Sequence, residues 1–585
     1  MNNLKFSFPV GYEKFHPKQH GPYGPEQVSY TNTNKGCYTI TIDPVVEMAS
    51  GKYLVTVEKL QPAAETLSGK VDELFASYDR DFHPGVSVAV LHDGKIVHQG
   101  SYGFANLAQE LPISDSTVFH IGSETKQFVA FSIASLIDEG KLSKEDDIRH
   151  YLPEVPFFGD TIRIKHLLSH TSGIREFYDD LTAIAGWEKG IDPVVAIQTQ
   201  KALNFQPGSQ YSYCNTEYGL LKEIVERITR ESFSEWIETE VFIPLGMNHT
   251  IYCNDERIII PNYAIGILLN KDGDYVQNTY IPDGIISTAT DLTKWVANYE
   301  SPVVGNPKVI EIMGLSDTLN NGETLSYTFG QEKIIKEGVT WWGHGGGFEG
   351  YRSYILRCPY HHFGVVVLSN FDYFNNWFMA RKVAQIYLGT DLTENEANAE
   401  AASPVTLAPE ELETFCGTYW FNYDLDIRVT RSDSCLVAQI TGQPALNIWP
   451  YDDNRFHYKV VDASIAFQAK GCDTINQLIV YQNNENYTAT AQRPEQATPE
   501  NMMKYTGKYY SEELETIYTI ELMDENFLQA IHPRTGKITL RHIFGGAFAS
   551  DTWFFNHVEF IRENKEITGF YLSTGRVKKL TFRKM

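Results

Sequence analysis

The chain has 585 residues, more than one hydrophobic core organises, so two to four domains are expected. Hydrophobic residues make up 42% and charged residues 21%, the balance of a soluble globular protein, and the formal net charge of −25 argues against nucleic acid and against anionic lipid as partners, since both call for a basic surface. Seven cysteines with no Cys-x-x-Cys pair speak against a disulfide framework or a zinc site, and neither a signal-peptide core nor a membrane-length apolar run occurs, so a cytoplasmic protein without metal or cofactor is expected.

Residues 1–64 read as a β-rich extension, with irregular backbone at Gly21, Pro22, Gly24 and Pro25 and short strand-like runs from Cys37 to Ile42 and Tyr53 to Val57. Residues 85–100 predict a hairpin: Val86-Ser87-Val88-Ala89-Val90 alternates, Asp93-Gly94 supplies a tight turn, and Ile96-Val97 returns. A strong helix starts near Ser123. Val129, Ile133, Leu136 and Ile137 keep a helical period, Phe128 and Phe131 widen the apolar face, and Gly140 closes it. The middle of the chain mixes helices, such as Leu220 to Ile228, with loops. A second hairpin follows, Tyr351 to Leu356 and Phe363 to Leu368, and then a helix from Asn376 to Tyr387. Strands at both ends with helices between them predict one antiparallel sheet carrying an inserted helical lobe, in a domain spanning 65–395.

Residues 389–410, with Pro404 and Pro409, have the composition of a linker. Beyond them lies an internal repeat. Phe415-Cys416-Gly417-Thr418-Tyr419-Trp420 matches Tyr505-Thr506-Gly507-Lys508-Tyr509-Tyr510, Phe456 and Phe467 match Phe548 and Phe560, and the run from Thr474 to Val480 matches that from Glu566 to Leu572. Two small antiparallel barrels are expected, over 396–498 and 499–585.

Three short segments carry chemistry. Ser123-Glu124-Thr125-Lys126 sets a hydroxyl and an amine one helical turn apart, on one face. A serine hydroxyl needs a base beside it, and burial can lower the pKa of a lysine far enough for it to accept a proton. The plain alternative is Ser123 as a helix cap and Lys126 as a surface residue. In Tyr213-Cys214-Asn215 a tyrosine can relay a proton and an amide can orient a substrate carbonyl, but Tyr-x-Asn recurs at Tyr30, Tyr252, Tyr373 and Tyr481, so only its loop position singles it out. His344-Gly345-Gly346-Gly347 can bring backbone N–H groups close to an oxyanion; the alternative is a glycine-rich turn with an incidental histidine.

In this order the segments resemble those of the penicillin-recognising serine hydrolases, a group that includes class C β-lactamases, D,D-carboxypeptidases and D-aminopeptidases. The runs from His166 to Ile174, Pro244 to Met247 and Gly284 to Leu292 resemble stretches of that family. The resemblance implies a β-lactamase-like α+β domain, an antiparallel sheet plus helical lobe, followed by two lipocalin-like barrels as in three-domain D-aminopeptidases. It implies Ser123 as nucleophile, Lys126 and Tyr213 sharing its proton, Asn215 holding the substrate amide, and the N–H groups of Ser123 and Gly347 as the oxyanion hole, with Gly345 and Gly346 beside them. Where β-lactamases carry Lys-Thr-Gly this chain has His344, mostly neutral at pH 7, which turns the expectation from penicillins towards peptides. An aminopeptidase needs a carboxylate for the substrate ammonium; Glu349 and Glu217 are candidates, and a loop of the second barrel is a further source. The expected activity is a peptidase or amidase on short peptides or amides. The alternatives are an esterase of the same fold, a weak β-lactamase, or a binding protein, and a homo-oligomer is compatible with each.

Overall fold

The computed structural model describes residues 64–585, apart from 80–81, 188–191, 256, 271–273, 279, 281–282, 390–391, 393–406 and the short stretches 422–425, 433–434, 441–444, 453, 459–462, 470–474, 483–484, 493–497 and 524–526; before residue 64 it describes the backbone of 2–7 and 39–44. Thr39–Pro44 pairs antiparallel with Asn2–Ser7, a partner the sequence pattern does not announce. The expected strand from Tyr53 to Val57 and most of the linker lie outside the described residues.

The chain forms two compact units. The first comprises Met1–Asp147, Arg163–Ser169 and Leu221–Glu394, the second Ile148–Ile162, His170–Leu220 and Asn395–Met585.

The first unit is built on a seven-stranded antiparallel sheet. Its strands are β1 (Val86–His92), β2 (Lys95–Tyr102), β3 (Tyr327–Thr328), β4 (Gln331–Lys336), β5 (Val339–Phe348), β6 (Tyr351–Cys358) and β7 (Phe363–Ser369), in the spatial order β3-β4-β5-β6-β7-β1-β2. The β7–β1 pairing, with Val88 opposite Val367, joins the two ends of the domain as the sequence pattern predicts. Asp93 and Gly94 both take positive φ (50° and 71°), as a two-residue hairpin turn demands. Helices cover both faces of the sheet, which explains why β7 is buried throughout and β1 nearly so. Val86, Val88, Val90, Val365 and Val367 share one core with Val383 and Ala384 of helix Asn376–Leu388. On the other face Gly364 makes room for Val296 of helix Ala289–Asn298; a Cβ there would lie 2.4 Å from Val296 Cγ1. The helix predicted near Ser123 begins as a 3-10 turn, Gly122–Glu124, and continues as helix α1, Thr125–Asp138. Gly140 follows it in the left-handed conformation.

The second unit contains two closed eight-stranded barrels with strands in chain order, the first running from Gly417–Phe421 to Glu485–Gln492 and the second from Gly507–Ser511 to Leu580–Lys584. Closure leaves no sheet edge exposed. The repeat reappears as geometry. Phe415 packs on Phe456 and Phe467 at 5.1 and 4.9 Å between ring centres, and Tyr505 packs on Phe548 and Phe560 at 5.2 and 4.6 Å. Tyr419 Oη donates to the Phe415 carbonyl at 2.8 Å, and Tyr509 Oη to the Tyr505 carbonyl at 2.7 Å. A short helix precedes each barrel, Pro409–Glu413 and Pro499–Met503. In the same unit Phe177, Leu181, Ile184 and Ala196 of the lobe share one core with the second barrel.

Candidate active site

Ser123 sits in the 3-10 turn that opens α1, and Lys126 Nζ donates to Ser123 Oγ at 3.0 Å. Lys126 is only 7% exposed, and the N-cap position of α1 is Glu124 with no side-chain cap, so neither the surface lysine nor the capping serine describes the pair.

The turn is fixed by its surroundings. Ile121 O accepts Ser353 Oγ of β6 at 2.7 Å, and Glu124, fully buried, accepts the Ile355 N–H at 2.7 Å. Gln127 bonds Glu124 through its amide nitrogen and accepts Trp295 Nε1 and Tyr299 Oη at 3.3 and 3.2 Å. Burial pushes the Glu124 carboxyl well above its usual range, against the hydrogen bonds from Ile355 and Gln127. His120 Nδ1 accepts the Gly122 N–H at 3.0 Å, and burial lowers its imidazole to about 4, so the ring is neutral where that bond needs an acceptor.

The glycine run is strand rather than turn: His344 to Gly347 lie within β5, opposite Ile355 to Arg352 of β6. The reason for glycine is contact with the serine turn. A Cβ on Gly346 would lie 1.9 Å from Ile121 O and 2.1 Å from Ser353 Oγ, and a Cβ on Gly122 would lie 2.8 Å from Gly347 N. The Gly347 backbone nitrogen is therefore beside the residue preceding Ser123. A Cβ on Gly345 would come to 3.3 Å from the Tyr354 ring.

His344 is buried. Its Nδ1 lies 2.7 Å from the Gly345 carbonyl, which only accepts, so Nδ1 carries the proton and Nε2 accepts from Tyr327 Oη at 3.0 Å. Burial, with Lys126 adding to it, lowers the ring to about 3, so His344 is an uncharged wall beside Lys126. Glu349 is exposed.

Tyr213 and Asn215 belong to the second unit. Tyr213 and Cys214 precede the helix Asn215–Thr229, and the Tyr213 ring packs on His170 at 4.3 Å. His170 is held in the left-handed region (φ 56°); its Nδ1 bonds the Glu217 carboxylate, and the Cys214 backbone nitrogen lies 3.2 Å from the same ring nitrogen. Glu217 also takes the Ser172 N–H and hydroxyl, so this buried carboxylate is committed inside the lobe and does not suit the ammonium-binding role considered for it. The Asn215 N–H bonds Glu176, and Asn215 Nδ2 donates to Asp179 at 3.2 Å. Sequence reasoning assigns no role to Tyr327, Glu124, His170, Glu176 or Asp179, although Glu124 and His170 lie within segments it singles out. Among the described residues no cluster of His, Cys, Asp and Glu could hold a metal ion, and no helix is long and apolar enough to cross a membrane.

Residues 71–387, more than half of the chain, match the family model described as Beta-lactamase. Penicillin-binding protein 4* of Bacillus subtilis is 28% identical over 437 residues, 69% of this chain and 94% of that protein. A D-aminopeptidase of Gluconobacter oxydans is 27% identical over 297 residues, 49% of this chain and 56% of the relative, so the match spans little more than half of that protein. In fold, the chain is similar to the octameric penicillin-binding protein homologue from Pyrococcus abyssi, with a TM-score of 0.51 at 23% identity over 72% of this chain and 99% of that one. The sheet, the serine turn and the extent of the family match agree: this chain belongs to the beta-lactamase family of serine hydrolases.

Proposed function

We propose that this protein hydrolyses amide or peptide bonds through an acyl-enzyme, as an aminopeptidase-like enzyme that accepts short peptides or amides, D-residues among them. The observation that carries this is the Ser123–Lys126 pair: a hydroxyl 3.0 Å from a buried amine, in a turn pinned on both sides. Ser123 Oγ attacks the carbonyl carbon, and its proton passes to Lys126. The C–N bond then breaks as Tyr213 and Lys126 deliver a proton to the leaving amine, and water releases the acyl group by the reverse path. The Ser123 and Gly347 N–H groups receive the oxyanion, and Asn215 holds the substrate amide.

His344 favours this substrate class over penicillins. A neutral imidazole offers a substrate carboxylate no charge, whereas the lysine found there in β-lactamases does. Glu349, exposed just after the glycine run, is the proposed partner of the substrate ammonium.

Labelling with a serine-directed fluorophosphonate, mapped by mass spectrometry, tests the nucleophile. Modification at Ser123 is expected, and a folded protein that stays unlabelled there refutes the proposal. Comparing D-alanine para-nitroanilide with a para-nitrophenyl ester tests the bond type; hydrolysis of the ester alone would make the protein an esterase.

A further inference from the structure

Arg576 stands between the last two strands of the second barrel, Glu566–Ser573 and Leu580–Lys584, yet its guanidinium bonds the lobe. Its Nη2 lies 2.9 Å from Asp179 Oδ2 and 2.8 Å from Asp180 Oδ1, and Glu176 is a third carboxylate close enough to act on it. Burial works against the charge on Arg576, but Glu176, Asp180 and Asp179 outweigh it and raise its pKa. Conversely, burial raises the carboxyls of Glu176 and Asp180, and Arg576 is the largest influence opposing that in both. One guanidinium thus holds together three carboxylates that would otherwise repel one another.

Two of these carboxylates have a second task. Glu176 accepts the backbone N–H of Asn215, and Asp179 Oδ2, the oxygen facing Arg576, also accepts Asn215 Nδ2 at 3.2 Å. A carboxylate only accepts, so the atom turned towards Asp179 must be the amide nitrogen. That bond resists the flip that would exchange nitrogen and oxygen.

We infer that Arg576 is a positioning residue: from the second barrel, through Asp179, it sets the orientation of the Asn215 side chain. This rests on the substrate-binding role proposed above for Asn215. The backbone around Arg576 is anchored independently of its side chain. Asn204 Nδ2 donates to the Arg576 carbonyl at 2.8 Å, and the Lys578 N–H donates to Asn204 Oδ1 at 2.7 Å. Removing the guanidinium therefore releases the carboxylates and leaves the loop in place.

The experiment is a double-mutant cycle in the full chain, with kcat and KM read on D-alanine para-nitroanilide. Arg576→Gln is expected to lower kcat/KM about 10-fold, mainly through KM, and Arg576→Lys to recover most of it. In an Asn215→Ala background the same Arg576→Gln change is expected to cost less than about 2-fold, because its target is gone. Equal factors in both backgrounds would show a merely structural role and overturn the inference. Asp179→Ala, which leaves Arg576 and the buried carboxylates in place, is the second variant should Arg576→Gln fail to fold; equal factors with and without Asn215 overturn the inference there too. Fluorophosphonate labelling of Ser123 should be unchanged in Arg576→Gln. If the unsubstituted protein is not labelled, the hydrolase proposal fails instead, and the two failures are distinguishable.

Discussion

Substituting Gly346 by alanine tests whether the glycine run exists to bring strand backbone against the serine turn. The added Cβ would stand 1.9 Å from Ile121 O, and 2.1 Å from Ser353 Oγ. A carbon–oxygen contact needs roughly 3.3 Å, so β5 or the turn must give way by about 1.4 Å. Ser353 Oγ can rotate, but Ile121 O is backbone and accepts the bond that ties the turn to β6. Overpacking of this kind costs about 1–3 kcal/mol of stability. The kinetic effect should be larger, since an oxyanion donor must lie within a few tenths of an ångström of its place and losing one costs about 10²–10³ in rate. Gly347→Ala is the control: its Cβ would meet nothing nearer than Arg352 Nη1 at 3.4 Å, an ordinary contact. The assay is kcat/KM on D-alanine para-nitroanilide, with thermal unfolding of both variants. Gly346→Ala should lose about 10²-fold or more in kcat/KM while still folding, and Gly347→Ala less than about 10-fold. Equal activity in the two variants would refute the proposed packing of strand against turn.

Lys126→Met should reduce kcat by about 10²–10⁴ and abolish phosphonate labelling of Ser123, with little change in the circular dichroism spectrum; rapid labelling of this variant would assign the base elsewhere. Buried His120 and His166, both lowered to about 4, and His344, lowered to about 3, stay neutral in the folded chain, while the unfolded chain binds protons on them below about 6.5. Their contribution to stability is therefore intact above about 6.5 and lost as pH falls towards these values, so the melting temperature should drop between pH 7 and 5 and His344→Gln should flatten that slope; an unchanged slope would contradict a buried neutral ring. Tyr509→Phe removes the hydroxyl bond to the Tyr505 carbonyl and should cost about 0.5–1.5 kcal/mol by denaturant unfolding of the second barrel, as should Tyr419→Phe in the first.

The sheet was legible because its signals are local. Val86 to Val90, the Asp93-Gly94 turn and the late hairpin each fit a short window, and their pairing follows from the chain's two ends meeting. The barrel repeat was legible from spaced aromatics, because Phe415, Phe456 and Phe467 fill one core in the way that Tyr505, Phe548 and Phe560 fill the other. The glycine run was legible as special but not as strand. Its steric reason is Ile121, more than two hundred positions away, as shown by the Ser353–Ile121 bond that crosses the same interval. The Asn2–Ser7 pairing stayed hidden because nothing in either segment names its partner.

The same difference in range separates the Ser123–Lys126 pair from the surroundings of Asn215. Ser123 and Lys126 are three positions apart on one turn, so helical geometry alone predicts that they meet. The groups that orient Asn215 are not neighbours in this sense: Asp179 lies 36 positions before it and Arg576 a further 397 beyond Asp179. No periodicity encodes such a contact, and each residue taken singly is an ordinary surface charge. What distinguishes them is that one guanidinium answers three carboxylates, two of which also bond Asn215. Charges taken from water are costly unless paired, so a cluster of this kind persists only where the fold supplies every member. That condition ties the second barrel to the Tyr213–Asn215 segment more strictly than the shared apolar core does. A core tolerates repacking, whereas losing Arg576 leaves three carboxylates without their cation.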